Sequence, residues 1–233
     1  MTRLFFLFSL FLSLSCTRSG DDVPKPASSG AGSTPASGSS LLSLGDSYTI
    51  GEGVPEADRW SVQLARTAGL AAPDIIARTG WTTGELQQAI RAANNSKTYD
   101  LVSLLIGVNN QYRRLPLTTY RTEFRELLQT AVRFAGQRPG RVFVLSIPDW
   151  GRSPYGQGYD QPRIASEIDQ FNAVARDECQ QAGVAFVDIT SYTRAAAGDA
   201  SQFAPDGLHY SGKQMQLWAQ QASPVVKTLL RNP

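Results

Sequence analysis

"LLSLGDSYTIGEG", residues 41–53, opens as an apolar run of strand length and breaks at Gly45-Asp46-Ser47. A Leu-rich run with no polar alternation fits a strand buried on both faces, which points to a parallel sheet covered by helices. In open sheets of that kind ligands bind outside the carboxyl ends of the strands. A serine standing where such a strand ends is therefore a candidate for chemistry.

Four more runs repeat the pattern: "PDIIAR" (73–78), "DLVSLLIG" (100–107), "RVFVLSIPD" (141–149) and "GVAFVDI" (183–189). Between them lie stretches of helical period: "RWSVQLARTAGL" (59–70), "TTGELQQAIRAANN" (82–95), "LTTYRTEFRELLQTAVRFAGQ" (117–137) and "RIASEIDQFNAVARDECQQAG" (163–183). "SGKQMQLWAQQASPVVKTLL" (211–230) closes the series. Strand and helix alternate throughout, so the spacing predicts a three-layer α/β/α domain over residues 41–233, built on a five-stranded parallel sheet. A chain of 233 residues with 42% apolar and 18% charged content suits one sizeable core. Its 22 Lys and Arg against 20 Asp and Glu are scattered, which argues against nucleic acid as a partner. Nothing in the sequence sets the oligomeric state.

The start of the chain has another character. "MTRLFFLFSLFLSLSC", residues 1–16, carries Arg3, an apolar and serine stretch too short to span a bilayer, and a cysteine at its end. A basic start, a short apolar stretch and small residues read as an export signal over 1–15. Cys16 at that position resembles the lipidated cysteine of bacterial lipoproteins, although Ser13 stands where that motif usually has Leu. Residues 17–40 are Ser, Gly, Ala and Pro with almost nothing to bury, so 16–40 is expected to be a lipidated cysteine and a flexible linker reaching about 25–30 Å. The expected location is the bacterial cell envelope, with the protein tethered to a membrane, the outer one being suggested by Asp21 and Asp22. The second cysteine, Cys179, falls on a helical stretch and reads as a small buried hydrophobe, so no disulfide framework is expected.

The residues after each strand supply the chemistry. A serine hydroxyl needs a positioned base. The chain has a single histidine, so that base is His209, and a multi-histidine metal site is excluded. Asp206, three residues earlier across a glycine, can reach the imidazole on a tight turn and fix its tautomer. Ser47, His209 and Asp206 thus supply nucleophile, base and orienter. For the oxyanion of an attacked carbonyl, three donors are available: the backbone N–H of Ser47, the backbone N–H of Gly80 and the Asn109 side-chain amide. Any one of these motifs alone is a common turn or strand end. Their occurrence in order, each after an expected strand, gives them meaning.

Those four blocks, "LGDSYTIGEG" with Ser47, "ARTGWTTGEL" with Gly80, "IGVNNQYR" with Gly107 and Asn109, and "APDGLHY" with Asp206 and His209, resemble the SGNH or GDSL-type hydrolase family. The resemblance runs from about Leu41 to the last helix. It implies a flavodoxin-like sheet, hydrolysis of carboxylic esters or thioesters through an acyl-serine, and no cofactor. Two positions depart from the family pattern: Tyr48 replaces the Leu after the serine, and Asn110 replaces an Asp.

The loop "PDWGRSPYGQGYDQP" (148–162) follows the fourth strand and carries Trp150, Tyr155 and Tyr159 among Gly, Pro and polar residues. Flat aromatic faces beside hydrogen-bonding groups suit a sugar ring, which suggests an O-acetylated glycan or a small ester as substrate. A lysophospholipase or thioesterase is the alternative within the same chemistry, and a noncatalytic surface-binding lipoprotein the alternative outside it.

Overall fold

The computed structural model describes residues 38–231, and the expected export signal, Cys16 and most of the linker lie outside them. Five parallel strands form the sheet: β1 (Leu41–Gly45), β2 (Asp74–Ala77), β3 (Leu101–Leu105), β4 (Val142–Leu145) and β5 (Ala185–Val187). They are ordered β2-β1-β3-β4-β5, the flavodoxin-like order. β1, β3 and β4 are buried along their whole length, whereas the edge strands β2 and β5 are partly exposed. The unbroken apolar runs are thus a consequence of position: a central strand is covered on both faces.

The two central runs each carry one serine, and the parallel register sets Ser43 opposite Ser103. Each is fully buried, and the Ser103 hydroxyl donates to Ser43 Oγ at 3.0 Å, so neither leaves an unpaired polar group in the core.

Among the described residues eight α-helices connect and flank the strands: α1 (Ser47–Ile50), α2 (Trp60–Ala68), α3 (Thr83–Ala93), α4 (Val108–Tyr112), α5 (Leu117–Phe134), α6 (Gln161–Ala182), α7 (Thr190–Ala195) and α8 (Gly212–Arg231). Right-handed crossovers put α2 on one face and, because the strand order reverses after β2, α3, α5 and α6 on the other. α8 returns to pack against α2. Trp60 on α2 and Trp218 on α8 are wholly buried on that face, and Tyr120 and Phe124 on α5 fill the opposite one. Cys179, on α6, is buried as expected, and burial pushes its thiol up to about 12. The reversal leaves a gap between the carboxyl ends of β1 and β3, and the α1 and α4 turns open into it.

Candidate active site

The turn out of β1 is tightly specified. A Cβ on Gly45 would lie 2.2 Å from Thr49 Oγ1 and 2.5 Å from the Leu105 carbonyl oxygen, so only glycine lets β1 run so close to β3. Asp46 caps α1, its Oδ1 accepting the Tyr48 N–H at 3.0 Å. It is wholly buried, and burial, outweighing the hydrogen bonds from nearby backbone N–H groups, pushes its carboxyl up to about 7. Its Oδ2 has no partner among the described residues. Ser47 is the first residue of α1, so its backbone N–H has no intrahelical acceptor and is available to a ligand.

His209 comes from the far end of the chain. Asp206 Oδ1 accepts the backbone N–H groups of Leu208 and His209, each at 2.9 Å, while Oδ2 lies 2.5 Å from His209 Nδ1. Gly207, at φ +68°, makes the turn that brings carboxylate and ring together. Partial burial acts to raise the Asp206 carboxyl, but the hydrogen bonds from the imidazole and the two backbone N–H groups prevail and hold it below the usual carboxylate range. With Nδ1 committed to Asp206, Nε2 is the ring nitrogen left to act as base.

Tyr48 seats this loop. Its buried ring stands 5.5 Å from the His209 ring, 5.8 Å from Tyr210 and 6.1 Å from Trp218, tying α1 to the loop that carries the histidine and to α8. A leucine would fill some of this space but would lack the edge and face contacts of an aromatic ring. The sequence flagged Tyr48 as a departure without revealing this role.

The third wall is formed by the turns after β2 and β3. Asn109 lies on α4, one of its amide hydrogens donated to the Trp81 carbonyl at 3.0 Å, which leaves the second free. Gly80 sits at φ +86°, two residues ahead of Thr82, the N-cap of α3, so it precedes that helix rather than heading it. The helix start is fixed by a capping box: Thr82 N–H donates to Glu85 Oε2 at 2.8 Å, and the Thr82 side chain accepts from the Glu85 N–H. Asn110, unassigned in the sequence reading, is wholly buried. Its Oδ1 accepts the Thr83 N–H at 3.0 Å and its Nδ2 donates to Thr83 Oγ1 at 2.7 Å, locking the start of α3 to α4. Arg113 adds a second brace through the Gly80 carbonyl, 2.5 Å from Nη2, and Glu85 Oε1, 3.1 Å from Nη1. Gly80 and Asn109 are held in fixed relation by these side chains.

Ser47, Gly80, Asn109 and His209 line one cleft of about 170 Å³, together with Tyr48, Val108, Tyr112, Trp150 and Leu208. Among the described residues no hydrogen bond joins Ser47 Oγ to His209. Such contacts commonly tighten only when substrate is bound. Of the three loop aromatics, Trp150 lines the cleft and is buried, its indole N–H donating to Gln111 Oε1 at 2.7 Å. Tyr155 and Tyr159 lie outside it, exposed and stacked near Trp150 at 6.2 and 5.1 Å between ring centres. Tyr112, absent from the sequence reading, packs edge-on against Trp150 at 5.2 Å. Among the described residues no group of three or more His, Cys, Asp or Glu side chains is arranged to hold a metal ion.

A parallel sheet with a serine, a carboxylate-paired histidine and convergent donors at its switch point defines a hydrolase of the α/β/α class. Residues 43–217 match the GDSL-like lipase/acylhydrolase family, and the chain belongs to it. It is an ester-bond hydrolase. Among solved structures it resembles TesA, with 19% identity over 82% of this chain and 99% of that one at a TM-score of 0.63. It also resembles the psychrotrophic esterase EstA from Pseudoalteromonas sp., with 18% identity over 83% of this chain and 100% of that one at a TM-score of 0.62. Axe2, an acetylxylan esterase from Geobacillus stearothermophilus, shares 17% identity over 82% of this chain and 95% of that one at a TM-score of 0.62. Identities this low speak to the fold. No curated protein sequence matches the chain.

Proposed function

We propose that this chain is a serine esterase that removes short acyl groups, acetyl foremost, from a saccharide by way of an acyl-serine. The observation that carries the proposal is the single small cleft shared by Ser47, His209, Gly80 and Asn109, with His209 already bonded to Asp206. Ser47 Oγ attacks the acyl carbonyl as His209 Nε2 takes its proton, and Asp206 stabilises the imidazolium that results. The oxyanion accepts hydrogen bonds from the Ser47 and Gly80 N–H groups and from the free Asn109 amide hydrogen. The imidazolium then protonates the leaving alcohol, and a water activated by the same ring hydrolyses the acyl-serine.

The size of the cleft supports a short acyl group: about 170 Å³ is small beside the ~300–1,000 Å³ of sites that take larger ligands. Tyr112, exposed at its edge and packed edge-on against buried Trp150, offers a flat face to the alcohol side. The test is kcat/KM across p-nitrophenyl esters of two to twelve carbons, with acetate release from an acetylated polysaccharide. Efficiency is expected to fall as the chain lengthens. A rise toward twelve carbons with no acetate released would replace this reading with a lysophospholipase or thioesterase.

The proposal extends to location. Cys16 is the site of lipidation and residues 17–37 the tether of an envelope lipoprotein, a reading that rests on the sequence, while Ser39 and Ser40 are already hydrogen-bonded to Ala71, Asp100 and Leu101 of the domain. A palmitate analogue fed to the native host should label the wild-type protein and leave Cys16→Ser unlabelled. Absence of label on the wild type would end the lipoprotein reading.

A further inference from the structure

Beside the cleft, on the other side of the Tyr112–Trp150 pair, lies a second cavity of about 270 Å³. Tyr112 and Trp150 line both, so a molecule bound over Ser47 can extend past exposed Tyr112 into it. Its remaining wall includes Tyr159, Arg114, Arg163 and Glu167. The aromatic side is rigid. Glu167 Oε2 accepts from Gln111 Nε2 at 2.7 Å, Gln111 Oε1 accepts the Trp150 indole N–H at 2.7 Å, and the hydroxyls of Tyr112, Tyr155 and Tyr159 join in a chain at 2.9 and 2.8 Å.

The charge of the cavity is less well matched than its polar contacts. Two guanidinium groups line the cavity with one carboxylate, Glu167, and a second, Asp160, stands outside its lining near Arg163 alone. Arg163 makes only long contacts, 3.9 Å each, to Asp160 and Glu167. Arg114 has no salt-bridge partner among the described residues, while its neighbour Arg113 is fully engaged with Gly80 and Glu85. Arg114 also holds a left-handed backbone at φ +56°, a conformation that Gly or Asn adopts at lower cost. A cation kept at a strained position, beside a second weakly paired cation and a fixed aromatic wall, is arranged for an anion that the protein itself does not supply.

We infer that this cavity is a subsite for an acidic group on the alcohol portion of the substrate, so that the preferred ester is an acylated saccharide bearing a carboxylate or phosphate. The inference rests on the esterase reading and names the substrate class of the same site. The sugar ring lies against exposed Tyr112, its ester reaches Ser47, and its anion is met by Arg114 and Arg163.

The experiment compares kcat/KM for an acetylated methyl glucoside with that for the matching methyl glucuronoside, which differs in carrying a carboxylate at C6. A 6-phosphate analogue separates a preference for carboxylate from one for phosphate. The wild type should favour at least one acidic substrate over the neutral one by roughly five- to tenfold at low ionic strength, and the preference should shrink with added salt. Arg114→Asn, which tolerates the left-handed backbone, and Arg163→Gln should each move the ratio toward one, and the double variant should abolish the preference. Arg66→Gln, an exposed change on α2 outside the cavity, should keep the wild-type ratio. A wild-type ratio of one or below, with the neutral saccharide turned over, overturns the subsite and leaves the esterase reading standing. So does a preference that survives in the double variant. Hydrolysis of p-nitrophenyl acetate with neither saccharide touched overturns the saccharide class, and inertness toward all these esters overturns the esterase reading and the subsite with it.

Discussion

Two aspartates belong to the site, one beside Ser47 in sequence and one bonded to His209, and their surroundings push them in opposite directions. The Asp206 side chain is 43% exposed, accepts three hydrogen bonds and is held below the usual carboxylate range. Asp46, the middle residue of the Gly-Asp-Ser motif, is 0% exposed and pushed up to about 7 by burial. Titratable groups driven apart by environment take different tasks. Asp206 stays anionic and can stabilise an imidazolium. Asp46 spends part of its time neutral and works as a helix cap that sets the direction of the Ser47 backbone.

The sharpest way to break this division is to remove each side in turn. Ser47→Ala and His209→Ala should each lower kcat by about 10⁴-fold or more with the fold intact, and Asp206→Ala should lose about tenfold less, read as ester turnover beside circular dichroism. Should Asp206→Ala keep full turnover while Asp46→Asn abolishes it, the two roles are exchanged.

The next effect in size concerns the wall formed by the turns after β2 and β3. Asn109→Ala should lower kcat by about 10²–10³ with little change in KM, because the charge it meets exists only in the transition state. Steady-state kinetics decides, and a rise in KM alone would make Asn109 a ground-state binding group.

The smallest effect on turnover, and the most particular to the comparison, belongs to Asp46→Asn. Because the folded-state value is raised from 3.8 to about 7, the folded protein retains a proton that the unfolded chain releases. The stability linked to Asp46 is therefore whole below about pH 4 and is lost as pH rises through about 7. Asparagine keeps an acceptor for the Tyr48 N–H and carries no charge. Between pH 4.5 and 8.5 the variant's melting temperature should fall less than that of the wild type, with a gain on the order of 1–3 kcal/mol at the alkaline end. Parallel curves would show that Asp46 does not titrate there.

The same contrast explains what could be read from the sequence. All five apolar runs became strands, and in the three central ones, β1, β3 and β4, burial on both faces is written directly into composition. The five long helices were visible through their period, and the meeting of Ser47, Gly80, Asn109 and His209 at one cleft, with Asp206 on His209, through their place after strands. The short α1, α4 and α7 were not visible, since four to six residues carry no period. Nor were the tasks of Tyr48 and Asn110. Those depend on partners such as Trp218 and Thr83, distant in sequence and joined only by the fold. Arg114 was equally silent, because its strain is a backbone angle and its isolation a matter of what its neighbours bind.

The seating of His209 against Tyr48 has a consequence in time. Ser47 leaves the ribosome early and His209 about 160 residues later, and the Tyr48 ring that packs on His209 also packs on Trp218 of α8, the helix that lies against α2. On the proposed mechanism, a chain made only as far as β5 holds the nucleophile without its base. On the same mechanism a half-made molecule is silent toward the esters around it.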